Sequence, residues 1–126
     1  MSVGYLPNMF DLINIRDLDL IDQAKLHCSR LVVGVFSDDF AERRLGRRPV
    51  VPTAERMALV AHVRGVDEVV LHDEESGTPA HDVSFSVAGD GPLPEAGKTW
   101  VLRPRRETTS VILRAALQAL QQENVA

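Results

Sequence analysis

The chain has 126 residues, 44% of them hydrophobic and 25% charged, the size and balance of one globular domain over 1–126. That composition excludes a disordered or collagen-like chain, and a single cysteine, Cys28, permits no internal disulfide. A net charge of −4 weighs against nucleic-acid binding.

No apolar run nears the roughly 18 residues of a membrane span, and the first residues lack the basic and apolar regions of a signal peptide. A cytoplasmic protein without nucleic-acid or membrane partners is therefore expected. In chain order, Val3 to Leu6 is a short apolar run, and Arg30 to Ser37 contains a longer one, Leu-Val-Val-Gly-Val-Phe. Continuous runs of this kind suit strands buried on both faces of a parallel sheet. Between them Leu18, Ile21, Ala24 and Cys28 recur at helical spacing.

Residues 38–48 read as a charged loop ending in a Gly-Arg-Arg-Pro turn. Thr53 then serves as the expected N-cap of a helix whose buried stripe is Met57, Val60, Ala61 and Val63, with Gly65 closing it. A third strand is predicted over Val66 to Leu71. The polar stretch His72 to Asp82 reads as a loop, Ser84 to Ala88 as a fourth strand, Gly91 to Gly97 as a loop, and Thr99 to Leu102 as a fifth strand. From Thr109 onward Ile112, Ala116 and Leu120 mark a closing helix. The order predicts an α/β, Rossmann-like fold with a mostly parallel five-stranded sheet flanked by helices.

Of fourteen basic residues all but Lys25 and Lys98 are arginine. Seven fall in two clusters, at 43, 44, 47 and 48 and at 103, 105 and 106. Ligands of such sheets bind beyond the carboxyl ends of the strands, and both clusters are expected on that rim. Arginine's planar fork suits phosphate or carboxylate, so a small anion is the predicted ligand. Cys28 beside His27 suggests a thiol nucleophile but lies on the apolar stripe, which favours a core role. His62, His72 and His81 have no metal-ligand spacing, and no metal site is predicted.

Together the pieces resemble the glycerol-3-phosphate cytidylyltransferase family. Val3 to Leu18, with Phe10-Asp11, is similar to its opening strand and G-x-F-D-x-x-H-x-G-H motif. Leu31 to Asp39 is similar to its second strand, and Gly46 to Arg56 to its K-G-R-x-P segment and following helix. Val87-Ala-Gly-Asp90 resembles its G-D-D element, and Pro104 to Thr109 its R-T-x-G-I-S-T-T loop.

The resemblance implies a nucleotidyltransferase fold, CTP as nucleotide with Mg²⁺ accompanying it, a homodimer, and transfer of a cytidylyl group to a phospho-alcohol with release of pyrophosphate. It implies nucleotide or phosphate contacts from Met9, Phe10, Asp11, Arg44, Arg56, Gly89, Asp90, Arg105, Arg106, Thr108 and Thr109. Asp11, Asp38 or Asp90 would help to hold the Mg²⁺, or Asp11 and Asp38 orient loops. The catalytic positions fall on Asn14, Arg16 and Asp17, where the family carries histidine, glycine and histidine. An ionised Asp17 only accepts hydrogen bonds and repels a triphosphate, whereas it suits a helix N-terminus. Ordinary cytidylyl transfer is therefore not expected. The alternatives are an altered transferase, a pseudoenzyme that binds a nucleotide or a partner, and an enzyme repurposed for a small non-nucleotide substrate. Because the family places a helix where 72–83 is polar, a thinner, more open substrate wall is also expected.

Overall fold

The computed structural model describes residues 1–88, 98–106 and 110–123. Five strands form one sheet: β1 (Val3–Asn8), β2 (Arg30–Phe36), β3 (Glu68–His72), β4 (Val83–Val87) and β5 (Lys98–Leu102). Their spatial order is β3-β2-β1-β4-β5 and every neighbouring pair is parallel. The helices are α1 (Ile15–Lys25), α2 (Asp38–Leu45), α3 (Thr53–Ala61) and α4 (Ser110–Glu123). The predicted α/β, Rossmann-like class is the fold observed.

Side chains alternate across a strand, and this divides the interior. Leu6, Leu31, Val33, Val35, Val83, Phe85, Val87 and Leu102 join Leu20, Ile21 and Ala24 of α1 and Val60 of α3 in the main core. The alternate positions, among them Tyr5, Pro7, Gly34, Ser84, Ser86 and Thr99, belong to the opposite face. At the top of that face Met9, Phe36, Phe40 and Ala41 form a second small cluster.

Three local readings need correction. Residues 38–45 are helical rather than a loop: Ser37 caps the helix by accepting from the Phe40 N–H at 3.0 Å, and Gly46 ends it in the left-handed region at φ 75°. Asp38 and Asp39 in the first turn and Arg43 and Arg44 in the last complement the helix dipole. In α1 the buried side carries Asp17, Leu20, Ile21 and Ala24, while Leu18 is 41% exposed. In α3 Pro52, whose ring has no acceptor, occupies the N-cap in place of Thr53 and makes no side-chain cap bond, while the Thr53 hydroxyl accepts from the Asp38 N–H at 2.9 Å. Ala61 faces outward.

The crossover from β3 to β4 contains no helix, as the polar sequence predicts. Asp73 pins its start by accepting from the Glu75 and Ser76 N–H groups, and Asp82 pins its end by accepting from the Val3 N–H at 2.8 Å. A helix would shield the sheet face more completely. On β5 the outward Val101 is 56% exposed.

Candidate functional site

The rim beyond β1 is built by a strained turn. Phe10 and Leu12 both have positive φ, 52° and 53°, a region that L-residues enter at a cost. The turn is held by Asp11, whose two carboxylate oxygens accept from the Val50 and Val51 N–H groups, each at 2.9 Å. Asp11 thus ties β1's exit to the segment before α3. Met9 and Phe10 are buried beneath it.

Arg56 completes this tie. Its side chain is 0% exposed. Nε donates to Val51 O, Nη1 to Met9 O and Nη2 to Asp38 Oδ1, each at 2.7 Å, with Thr53 Oγ1 at 3.2 Å. A guanidinium spent in this way braces the turn from below and presents no surface to a phosphate. Burial pushes the Asp38 carboxyl up, but the hydrogen bonds from Arg56 and Thr53 outweigh it and hold Asp38 below its ordinary value.

The N-terminus of α1 is where an anion would meet unpaired backbone N–H groups. Here the chain caps itself. Asn14 Oδ1 accepts from Arg16 N at 2.9 Å and Asp17 N at 3.4 Å, and Asp17 Oδ2 accepts from Asn14 N at 3.3 Å. This reciprocal capping box uses the first-turn donors and buries Asp17 to 5% exposure. Asn14 Nδ2 also holds Leu12 O at 3.0 Å. Arg16 is half-buried, and its guanidinium has no partner among the described residues.

The remaining arginines do not gather round one hollow. Arg105 turns back onto α1: its N–H donates to Asp19 Oδ2 at 2.8 Å and its guanidinium to Oδ1 at 3.1 Å. Gln23 bridges Asp19 and Arg103 O beside it. Arg48 sits among Asp38, Asp39 and Glu42, and Arg43 lies 3.7 Å from Glu74. Arg106 is exposed. Arg44 leaves the rim and lines a cavity on the sheet face opposite α1. Gly89, Asp90, Thr108 and Thr109 lie outside the described residues.

That cavity, about 230 Å³, was not anticipated. Its floor comes from Tyr5 and Pro7 of β1 and its walls from Phe40, His72, Ser86 and Thr99, with the Asp73 to Thr78 stretch along one side. Within it the Tyr5 hydroxyl lies 2.6 Å from His72 Nδ1. The one sequence signal was the polar alternation Ser84-x-Ser86 in β4 with Thr99 in β5, which marks a strand face without full apolar cover. Cys28 is half-buried, 3.4 Å from Ala24 O, consistent with a packing role. Among the described residues no group of three or more His, Cys, Asp or Glu is placed to hold a metal. Asp11 and Asp38 are both engaged by protein donors, so neither fits a resident Mg²⁺.

A parallel α/β sheet whose strand-end rim carries Phe10-Asp11, a capped first helix and a returning arginine loop defines a nucleotidyltransferase-type domain. The chain belongs to the cytidylyltransferase-like family, whose model matches residues 5–122. Among curated relatives it is 39% identical over 75 residues to the bifunctional protein HldE of Acidiphilium cryptum, a match covering 59% of this chain and 15% of that protein. The HldE of a Caulobacter species is 38% identical over 77 residues, covering 60% and 16%. The matches thus span about a sixth of those relatives' length. The fold is also that of a lipopolysaccharide core biosynthesis protein from Thermoplasma volcanium, with a TM-score of 0.69 at 20% identity over 86% of this chain and 99% of that one. No helix among the described residues is long and apolar enough to cross a membrane.

Proposed function

We propose that this domain is a non-catalytic member of its family, one that binds a nucleotide or another small phosphate-bearing anion at the rim without transferring a cytidylyl group. The observation that carries this reading is the Asn14–Asp17 capping box. Phosphoryl-type transfer depends on positioned donors and positive charge around the phosphates. Here the Arg16 and Asp17 N–H groups of the first helical turn are already satisfied by Asn14 and a buried carboxylate stands beside them. A unit negative charge about 4 Å from a phosphate charge costs about 4 kcal/mol at an effective dielectric of 20, roughly a thousandfold in rate. Arg16, Arg47, Arg103 and Arg106, whose guanidinium groups have no partner among the described residues, are cations left for an anion.

Mg²⁺ would arrive with the nucleotide, held by phosphate oxygens. The implied homodimer belongs to this reading as well. It is supported by Ile112, Leu113 and Leu120, exposed along α4, and a monomeric mass by light scattering would refute it.

The test measures pyrophosphate release from CTP and ATP with several phospho-alcohols, alongside calorimetric titration of each nucleotide. The expected result is binding without turnover. The triple variant Asn14→His, Arg16→Gly, Asp17→His should bind nucleotide at least tenfold more tightly. Steady turnover by the natural chain would overturn the reading, and so would unchanged affinity in the triple variant.

A further inference from the structure

His72 is 7% exposed and lines the 230 Å³ cavity on the face opposite α1. Its Nδ1 is taken by the Tyr5 hydroxyl at 2.6 Å. Among the described residues its other ring nitrogen, Nε2, has no partner. The rings of Tyr5, Phe36 and Phe40 pack around it.

The tautomer follows from satisfying both groups. Tyr5 is 2% exposed, and among the described residues His72 is its hydroxyl's one partner. A buried hydroxyl that keeps its proton to itself loses a hydrogen bond. The Tyr5 O–H therefore donates to Nδ1, and the neutral ring carries its proton on Nε2. Burial, which pushes the His72 imidazolium down and the Tyr5 phenol up, agrees with both groups being neutral. The outcome is a buried N–H donor without an acceptor among the described residues, a group that native interiors rarely leave unmatched.

Size and lining narrow what can meet it. A cavity of roughly 150 Å³ accepts benzene, so 230 Å³ holds one substituted ring and is too small for a nucleoside triphosphate. Tyr5, Pro7, Phe40 and His72 make much of the lining, which suits a flat ring better than a polyol. Arg44, Asp73 and Glu74 all line the cavity, and Glu74 is 3.7 Å from Arg43, so the lining carries both signs and net charge is not selected. The hydroxyls of Ser86 and Thr99 add groups that both donate and accept.

We propose that this cavity is a second ligand site, separate from the phosphate rim, which takes a small single-ring aromatic amide or lactam whose carbonyl oxygen accepts from His72 Nε2–H. Its occupant lies against Pro7, one residue before the β1 exit into the strained turn, and so touches the rim's foundation without competing for its anion.

Benzamide is the probe, with benzylamine, which lacks the carbonyl, as control. Two-dimensional ¹H–¹⁵N spectra of the full chain should show saturable shifts at Ser84, Ser86 and Thr99 with benzamide, and a long-range imidazole spectrum should show the His72 Nε2 signal moving. Benzylamine should bind at least tenfold more weakly. Ser86→Leu, which fills the cavity from a half-buried position, should abolish the benzamide shifts without lowering Tm by more than a few degrees. His72→Phe should weaken benzamide at least tenfold. Shifts centred on Arg16 or Arg106, equal affinity for the two probes, binding unaltered in Ser86→Leu, or no saturable shift would each overturn the proposal. Nucleotide titration reports the rim independently, so the two readings fail separately.

Discussion

Arg56→Met replaces a fully buried guanidinium with an apolar chain of similar length. The natural side chain makes three bonds of 2.7 Å, two of them to the carbonyls of Met9 and Val51 and one to the Asp38 carboxylate. Methionine fills the space but leaves two carbonyls unsatisfied and a largely buried carboxylate with only the exposed Arg48, 3.8 Å away, for a cation. Removing one partner of a buried pair costs about 3–5 kcal/mol, which for a chain of this length is a fall in Tm of about 10–20 °C.

Thermal unfolding followed by far-ultraviolet circular dichroism measures it, and pH gives a second readout. The folded Asp38 value lies below the ordinary 3.8, so the stability this pairing brings is present above 3.8 and drains away as pH falls through the folded value. In the variant the burial remains while the opposing guanidinium is gone. The gap between natural chain and variant should therefore be widest near neutrality and narrow below pH 4. A loss under about 1 kcal/mol, the ordinary surface range, together with abolished nucleotide binding, would show that Arg56 serves a ligand and not the turn.

Further outcomes are expected elsewhere. A Cβ added at Gly34 would collide with the Tyr5 hydroxyl, so Gly34→Ala should cost about 1–3 kcal/mol in urea unfolding and break the Tyr5–His72 bond; an unaltered imidazole spectrum would contradict this. Asp19→Ala removes the acceptor of the Arg105 N–H and should cost about 1–3 kcal/mol. Arg105→Ala loses only a guanidinium whose side chain is 66% exposed and should cost less than about 1 kcal/mol, and the opposite ranking would refute the assignment. Burial pushes the Cys28 thiol up despite Lys25 nearby, so alkylation by iodoacetamide at pH 8 should be slower than that of free cysteine. Equal rates would count against its packed position.

The five strands were legible because apolar runs such as Leu31 to Phe36 are long enough to be buried on both faces. The capping role of Asp17 was legible too, since a short acid at the start of a helical pattern complements the backbone there. The destinations of the arginines were not. Arg56 is defined by carbonyls at residues 9 and 51, and Arg105 by an acid 86 positions away, and neither pairing leaves a local trace. The helix over 38–45 was obscured by its charge density, although Ser37, the two acids, the two arginines and Gly46 follow the sequence of a capped helix. The Tyr5–His72 pair was missed because it joins the starts and ends of strands that are not neighbours in the sheet.

The lopsided cover of the sheet ranks how its strands let go. β2 is sheltered on both sides along nearly its whole length, whereas β5 holds the margin through a single neighbour, with Val101 half bare. Deuterium should enter the β5 amides first and the β2 amides last, since local opening follows the scarcity of buried contacts. Thermal breathing would thus begin on the flank that shoulders Ser86 and Thr99, loosening one wall of the aromatic chamber while the braced turn above β1 stays shut.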